Sequence, residues 1–405
     1  MDAVLSAVDE PLQPVAEAGE PGPVQVAFED AILDAQTVVL QHRHYLAAAA
    51  IRDDVIGDDK VHAFGYIMMR MAAFLGRIEY REAWLALEAQ EEGELPPYLG
   101  STLRGALGHL LRRALCDGPG CGDSCLRPES CRYYALFEQA RPADGGSAPK
   151  PMILEPPLNQ ELEEIALGAP VRLPYCSGPP LARETVPTLR NEHVLRAEQG
   201  AILHAGLRLV GPLSAALAGI LSAVDRHGLQ LGGIRFRLRA ARDAAGRMLF
   251  DRQFPEIPPQ QPALLRLSAE PERARRVRIV FQTPAMLKLG RKVSFDPAEF
   301  AARFFEHSLA RAVQVHNCLT GGPRLPWMEL PRLETELVGY RLFHYHLPRF
   351  TFRQQKRLDF DGMIGFLDLK GDFDPVMPYA RAAEVLHWGQ KATFGLGKVR
   401  VLILE

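Results

Sequence analysis

Four cysteines fall within one short stretch, Cys116, Cys121, Cys125 and Cys131, spaced C-x4-C-x3-C-x5-C around Gly118, Pro119, Gly120 and Gly122. Thiolates bind zinc tetrahedrally, and glycines let a short loop wrap the ion. Four thiolates leave no open coordination position, so the expected ion is structural rather than catalytic. Free thiols are the alternative reading, because the spacing departs from a paired C-x2-C ribbon. Cys176 and Cys318 stand apart.

A second group combines a proton carrier with fixed positive charge. Leu103, Ala106, Leu107, Leu110, Leu111 and Ala114 recur at helical spacing and would face inward. Arg104, Gly105, Gly108, His109, Arg112 and Arg113 would then share the outer face. Histidine moves protons near neutral pH, and the flanking guanidinium groups would attract a phosphate. Gly105 and Gly108 would let a polyanion backbone come close. Taken by themselves, these residues equally describe a solvated basic helix.

Towards the C-terminus, His387, Lys391, Lys398 and Arg400 surround Gly389, Gly395 and Gly397. Glycines there would let main-chain amides reach a phosphate, or let the loop pack closely against a helix. The loop follows a helix pattern and precedes a strand pattern, which rules out a dinucleotide fingerprint. Arg349, Arg353, Lys356 and Arg357 form a basic run with Phe350 and Phe352, suited to phosphate contacts or to a solvated hairpin tip. His344 and His346 lie two apart on one strand face, where a half-buried aromatic surface accounts for them better than contact with RNA.

The elements that position these groups follow from periodicity. Gly100–Ala114, Pro212–His227, Pro297–Val315 and Tyr379–Trp388 read as helices. Strand patterns cover residues 201–210, 234–240, 277–281, 338–352, 358–369 and 399–404. Residues 77–88 fit helix and strand alike. From residue 275 the order is βαββαβ, the ferredoxin-like arrangement also used by RNA-recognition modules. The expected division is an acidic N-terminal extension over 1–75, a first domain over 76–245 with the Cys-rich insertion, a Pro- and Gln-rich linker over 246–274 and a second domain over 275–405.

The 405 residues carry a net charge of −2, which hides an asymmetry. Of 49 acidic and 47 basic residues, 12 and 3 fall in residues 1–60, leaving 37 and 44 for the body. A mildly basic body is compatible with a polyanion partner without requiring one. No apolar run is long enough to span a bilayer and no secretory signal is evident, so a cytoplasmic location is expected.

Three stretches resemble the CRISPR-associated endoribonucleases that process precursor guide RNA, family six of the Cas proteins within the RAMP superfamily. They are Leu95–His109, the cysteine cluster running into Arg132–Glu138 and Ile153–Pro157, and Leu386–Gly397 with its glycine-rich loop. Arg349–Leu369 looks like that family's central hairpin. The resemblance covers residues 77–405. It implies an α+β fold of two tandem ferredoxin-like domains, binding of CRISPR repeat RNA, and metal-independent cleavage giving 2′,3′-cyclic phosphate and 5′-hydroxyl ends. It further implies His109 as the proton carrier, with His387 and Lys391 as secondary catalytic candidates. Arg104, Arg112, Arg113, Arg349, Arg353, Lys356, Arg357, Gly389, Gly395, Gly397 and Lys398 would contact RNA. A CRISPR effector complex would be a further partner. The rival expectations are a non-catalytic RAMP subunit that scaffolds guide RNA, and a zinc-stapled adaptor that recruits protein through its acidic N-terminal segment.

Overall fold

The computed structural model describes residues 72–116, 130–138, 148–157, 186–190, 195–290, 292–326, 328, 330, 333–351 and 356–405, with 348–351 and 356–359 described by backbone alone. The N-terminal extension up to residue 71 lies outside the described residues, as do Cys121 and Cys125.

The first unit is built from β1 (Glu79–Ala89), α1 (Gly100–Leu115), β2 (Met152–Glu155), β3 (Ile202–Val210), α2 (Leu217–His227) and β4 (Ile234–Arg242). Its strands lie in the order β2-β3-β1-β4, with every pairing antiparallel. The ambiguous segment at residues 77–88 is therefore a strand. It is hydrogen-bonded on both sides, and Ala83, Leu85, Leu87 and Ala89 alternate into the core. Good helix formers are overruled there by two neighbouring strands.

The second unit contains β5 (Arg276–Ala285), α3 (Pro297–Leu319), β6 (Thr335–His346), β7 (Gly362–Gly371), α4 (Met377–Leu386) and β8 (Val399–Ile403). Its order is β8-β5-β7-β6. Both units thus show βαββαβ connectivity with the same strand order, so the mixed α+β expectation holds for the two halves. Asp296 caps α3 by accepting from the Ala298 amide, with Pro297 at the first helical position.

Two boundaries differ from expectation. Residues 246–274 include Met248–Asp251 and Leu265–Arg266, which pair with β4 and β1. The Pro-rich composition suggested a linker, but edge pairing claims those backbone groups. Thr188–Arg190, from the long segment between β2 and β3, adds a parallel edge strand to β6 of the second sheet. Among the described residues, no helix is long and apolar enough to cross a membrane.

Helices α1 and α2 cover the first sheet through Leu103, Leu107, Leu110, Leu111, Leu217, Ile220 and Leu221. Beyond Leu111 the α1 stripe continues through Leu115, which packs on the core, whereas Ala114 is exposed rather than inward. In the second unit Trp388 is fully buried. Its ring stacks on Phe304 and its indole N–H donates to the Phe304 carbonyl at 2.9 Å. This anchor pins the start of the glycine-rich loop to α3.

Candidate functional site

The glycine-rich loop is a buried wedge between the two units. Gly395 and Gly397 have φ of 76° and 73°, a region that disfavours side chains. A Cβ on Gly397 would stand 1.8 Å from the Trp388 carbonyl oxygen, and one on Gly395 would stand 2.2 Å from Pro156. The Gly395 amide donates to Ala392, the Gly397 amide to Pro284 and the Lys398 amide to the Thr283 hydroxyl. These amides are spent inside the protein. The expectation that Gly395 and Gly397 contact RNA is corrected on that ground: both are buried, and they serve close packing. Gly389, with φ of 76°, packs against the Met286 carbonyl and is half-buried.

The same wedge receives the N-terminus of α1. Tyr98 donates to the Phe394 carbonyl at 2.8 Å, and a Cβ on Gly100 would stand 1.9 Å from that oxygen. Arg104 lies over Phe394 at 4.6 Å and over Phe137 at 5.3 Å. It is half-buried between helix and loop rather than displayed on the outer face. Gly108 is also buried, facing the Phe137 ring, so it does not leave room for a polyanion. Gly105 does open onto space.

His109 is exposed, as is Arg113, with Arg112 half-buried beside them. At about 100° per residue His109 stands about 140° around the helix from Arg104. The loop-facing and solvent-facing sides of α1 are therefore distinct. Lys391 adopts φ of 65° and sets its ammonium 3.7 Å from the centre of the Phe360 ring. Arg400 is exposed on β8.

His387 does not reach solvent. It is fully buried, where its Nδ1 meets the Leu396 carbonyl at 3.0 Å and its Nε2 stands 3.7 Å from Glu155. Glu155 in turn holds Lys398 at 2.5 Å and Arg208 at 3.1 Å, and Arg208 holds Glu82 at 2.5 Å. Glu82, Glu155 and Arg208 belong to the first sheet, and His387 and Lys398 to the second unit. A buried ionic chain thus ties the two together. His387, expected as a secondary catalytic candidate, and Lys398, expected to contact RNA, both belong to this tie. Burial would raise the Glu155 carboxyl, but His387, Arg208 and Lys398 outweigh it and hold it well below the usual range. Burial lowers the His387 imidazole, against the pull of Glu155.

Removing one member of a buried ion pair leaves its partner uncompensated, at a cost of about 3–5 kcal/mol. Arg208→Met is accordingly expected to lower unfolding free energy by that amount in a denaturant titration. A change within about 0.5 kcal/mol would mean that Glu82 and Glu155 do not depend on it. Acid should act in the same direction. The unfolded chain protonates His387 near pH 6.5 and the folded chain only at lower pH, so the unfolded state binds more protons there and stability falls as pH drops below that value. Protonating Glu155 adds to the loss only at lower pH.

Of the cysteines, Cys116 follows α1, and the Tyr134 amide approaches the Cys131 sulfur at 3.5 Å. Among the described residues no group of three or more His, Cys, Asp or Glu side chains could hold a metal. Arg353 lies outside the described residues, as do the side chains of Arg349, Lys356 and Arg357. Their hairpin, Pro348–Thr351 with Lys356–Asp359, is described by backbone pairing.

Sequence reasoning missed Glu82, Arg208 and Asp361. Glu155 stood in a quoted motif without a role. Each becomes significant only through a partner far away in the chain. Asp361 accepts from His344 Nε2 at 3.2 Å, His346 Nδ1 at 3.1 Å and the Leu347 amide at 3.0 Å. Burial would raise its carboxyl, but the amide and the two imidazoles hold it below the ordinary range.

Two βαββαβ units tied through a buried glycine-rich loop make a tandem ferredoxin-like α+β fold. Residues 279–399 match the family model of the CRISPR-associated endoribonuclease Cas6, and residues 78–261 match a model described as an N-terminal domain. The Cas6 match thus spans 121 of the 405 residues, the unit from β5 to β8. An uncharacterized protein of Archaeoglobus fulgidus is 38% identical over 66 residues, which are 16% of this chain and 22% of that protein. This chain thus aligns with about a fifth of that relative's length. Among solved structures, Thermus thermophilus Cas6 is 15% identical with a TM-score of 0.42, over 80% of this chain and 99% of that one. A Cas6-related protein from Pyrococcus furiosus is 10% identical with a TM-score of 0.39, over 80% and 100%.

Proposed function

We propose that this chain binds CRISPR repeat RNA and cleaves it by metal-independent acid–base chemistry. The match of residues 279–399 to an endoribonuclease family carries this reading. The exposed His109 beside Arg112 and Arg113 supports it. The ribose 2′-hydroxyl attacks the adjacent phosphorus, and the products are a 2′,3′-cyclic phosphate and a 5′-hydroxyl. His109 carries a proton in that step. Lys391 offers positive charge to the phosphate. Arg112, Arg113 and the hairpin residues Arg349, Arg353, Lys356 and Arg357 hold the RNA backbone.

The test is incubation with the repeat RNA of the protein's own locus in excess EDTA, with both product ends mapped. A single cut with a 5′-hydroxyl end is expected. RNA bound tightly and left intact would favour a scaffold subunit, and loss of cutting with EDTA would overturn metal independence.

The four cysteines hold a structural zinc in this proposal, with no part in the chemistry. About one zinc per chain is expected by elemental analysis of protein purified without added metal. Cys121→Ser with Cys125→Ser should lose metal and stability together, because binding there is folding free energy. Full retention of zinc in the double variant would place the ligands elsewhere.

A further inference from the structure

Strand β4 reads Ile-Arg-Phe-Arg-Leu-Arg-Ala-Ala-Arg. Ile234, Phe236 and Leu238 are buried in the core that α1 and α2 cover. Alternation therefore turns Arg235 and Arg237 to the other, open side of the first sheet, where both are exposed. The register with β1 slips between Leu238 and Ala240, at the half-buried Arg239. Arg242 returns to the open side as the cross-strand neighbour of Trp84 and is exposed. Arg242 donates to the Gly246 carbonyl, and among the described residues none of the four arginines holds a carboxylate. The register sets Glu88 and Asp251 on the same side, so positive charge prevails there.

The neighbouring strands add aromatic surface. Trp84 on β1 lies beside Gly206 of β3, and two of its ring carbons would stand 3.1 and 3.2 Å from a Cβ at that glycine. The bare backbone of Gly206 thus gives the indole its place on the sheet. The Lys398 ammonium sits 5.1 Å from the ring centre, and the residue still keeps 38% of its surface exposed. His204, two residues before Gly206, is exposed on the same side. A partner for this face must offer flat rings and repeated negative charge together. Single-stranded RNA does so, because its unstacked bases lie on indole and guanidinium planes. Arginines two apart on a strand, about 6.7 Å, can follow successive phosphates. A duplex keeps its bases stacked inside, and an acidic protein surface has no bases to stack.

We propose that the open face of the first sheet is a second RNA-binding surface, which takes a single-stranded stretch of the repeat away from the cut. Trp84 stacks a base, and Arg235, Arg237, Arg239 and Arg242 hold the flanking phosphates. This rests on the reading of the chain as a repeat-RNA-binding protein. The surface lies on the opposite side of the first sheet from α1, which carries His109. An RNA that engages both passes around the first unit.

The experiment measures affinity of the full chain for the repeat RNA and for short single-stranded fragments of it that lack the cut. Trp84→Ala should weaken binding of one fragment about 5–150-fold, the worth of one stacked base. Trp84→Phe should stay within a few-fold of the wild type, and Trp84→Leu should resemble Trp84→Ala. Arg237→Ala and Arg239→Ala should each lower the slope of log affinity against log salt by about 0.7. Annealing that fragment to its complement should abolish the difference between Trp84→Ala and wild type. All variants should melt near the wild-type temperature, since the altered side chains lie outside the core. Wild-type affinity in Trp84→Ala with an unchanged salt slope in the arginine variants would overturn the proposal and leave the face to a partner of another kind. Equal binding by Trp84→Leu and Trp84→Phe would overturn stacking. A wild-type protein that binds neither the repeat nor any fragment would overturn the functional reading, and this proposal with it.

Discussion

A repeat RNA carrying one 2′-deoxynucleotide immediately 5′ of the cut is expected to bind like the unmodified repeat and to remain whole. Binding comes mainly from Lys and Arg contacts to phosphate, which the substitution leaves in place. The attacking oxygen is gone, and without a metal-activated water nothing in the proposed site replaces it. The comparison is a single-turnover time course at saturating protein, with affinity measured in parallel. Cleavage of the deoxy substrate at the ordinary position would rule out 2′-hydroxyl attack and require a hydrolytic route. Weakened binding alone would place a 2′-hydroxyl contact at that nucleotide, a separate matter from the chemistry.

His109→Ala is expected to slow cleavage by about 10²–10⁴-fold, the range typical of one general acid or base. The structure supports this choice of residue through exposure. His109 stands on the solvent side of α1 with Arg112 and Arg113, whereas His387 is sealed between the two units. Repeat affinity should change little, since the guanidinium groups remain. Arg112→Ala should show the opposite pattern, with weaker binding and a shallower salt dependence. A His109→Ala protein that cleaves at the wild-type rate would reduce His109 to a surface residue.

Much of the architecture was legible from the chain itself. The leucine stripe of α1, the alternation of Val277, Ile279 and Phe281 and the aromatic face of α3 each carry their period in the sequence. Their burial follows from local amphipathicity, which needs no knowledge of the partner. The second βαββαβ unit was readable for that reason, and so was the outward direction of His109. The ordered motifs also pointed to the family that residues 279–399 match.

What the glycines and histidines of the C-terminal loop do was decided by tertiary structure. A Gly-x-Gly reads the same whether its amides face a phosphate or, as here, donate to Ala392 and Pro284. His387 and Lys398 looked like surface groups because histidine and lysine usually are. Their burial depends on Glu155, which lies 232 and 243 residues earlier in the chain. His346 looked like part of an aromatic strand face until Asp361 was found to accept from it. A strand residue's period tells which face it occupies. It cannot tell which carboxylate will stand opposite, because that is set by long-range pairing of β6 with β7. Local periodicity therefore determined the elements and their inward faces. The electrostatic partners, and with them the difference between a buried tie and an accessible imidazole, came only from how distant strands meet.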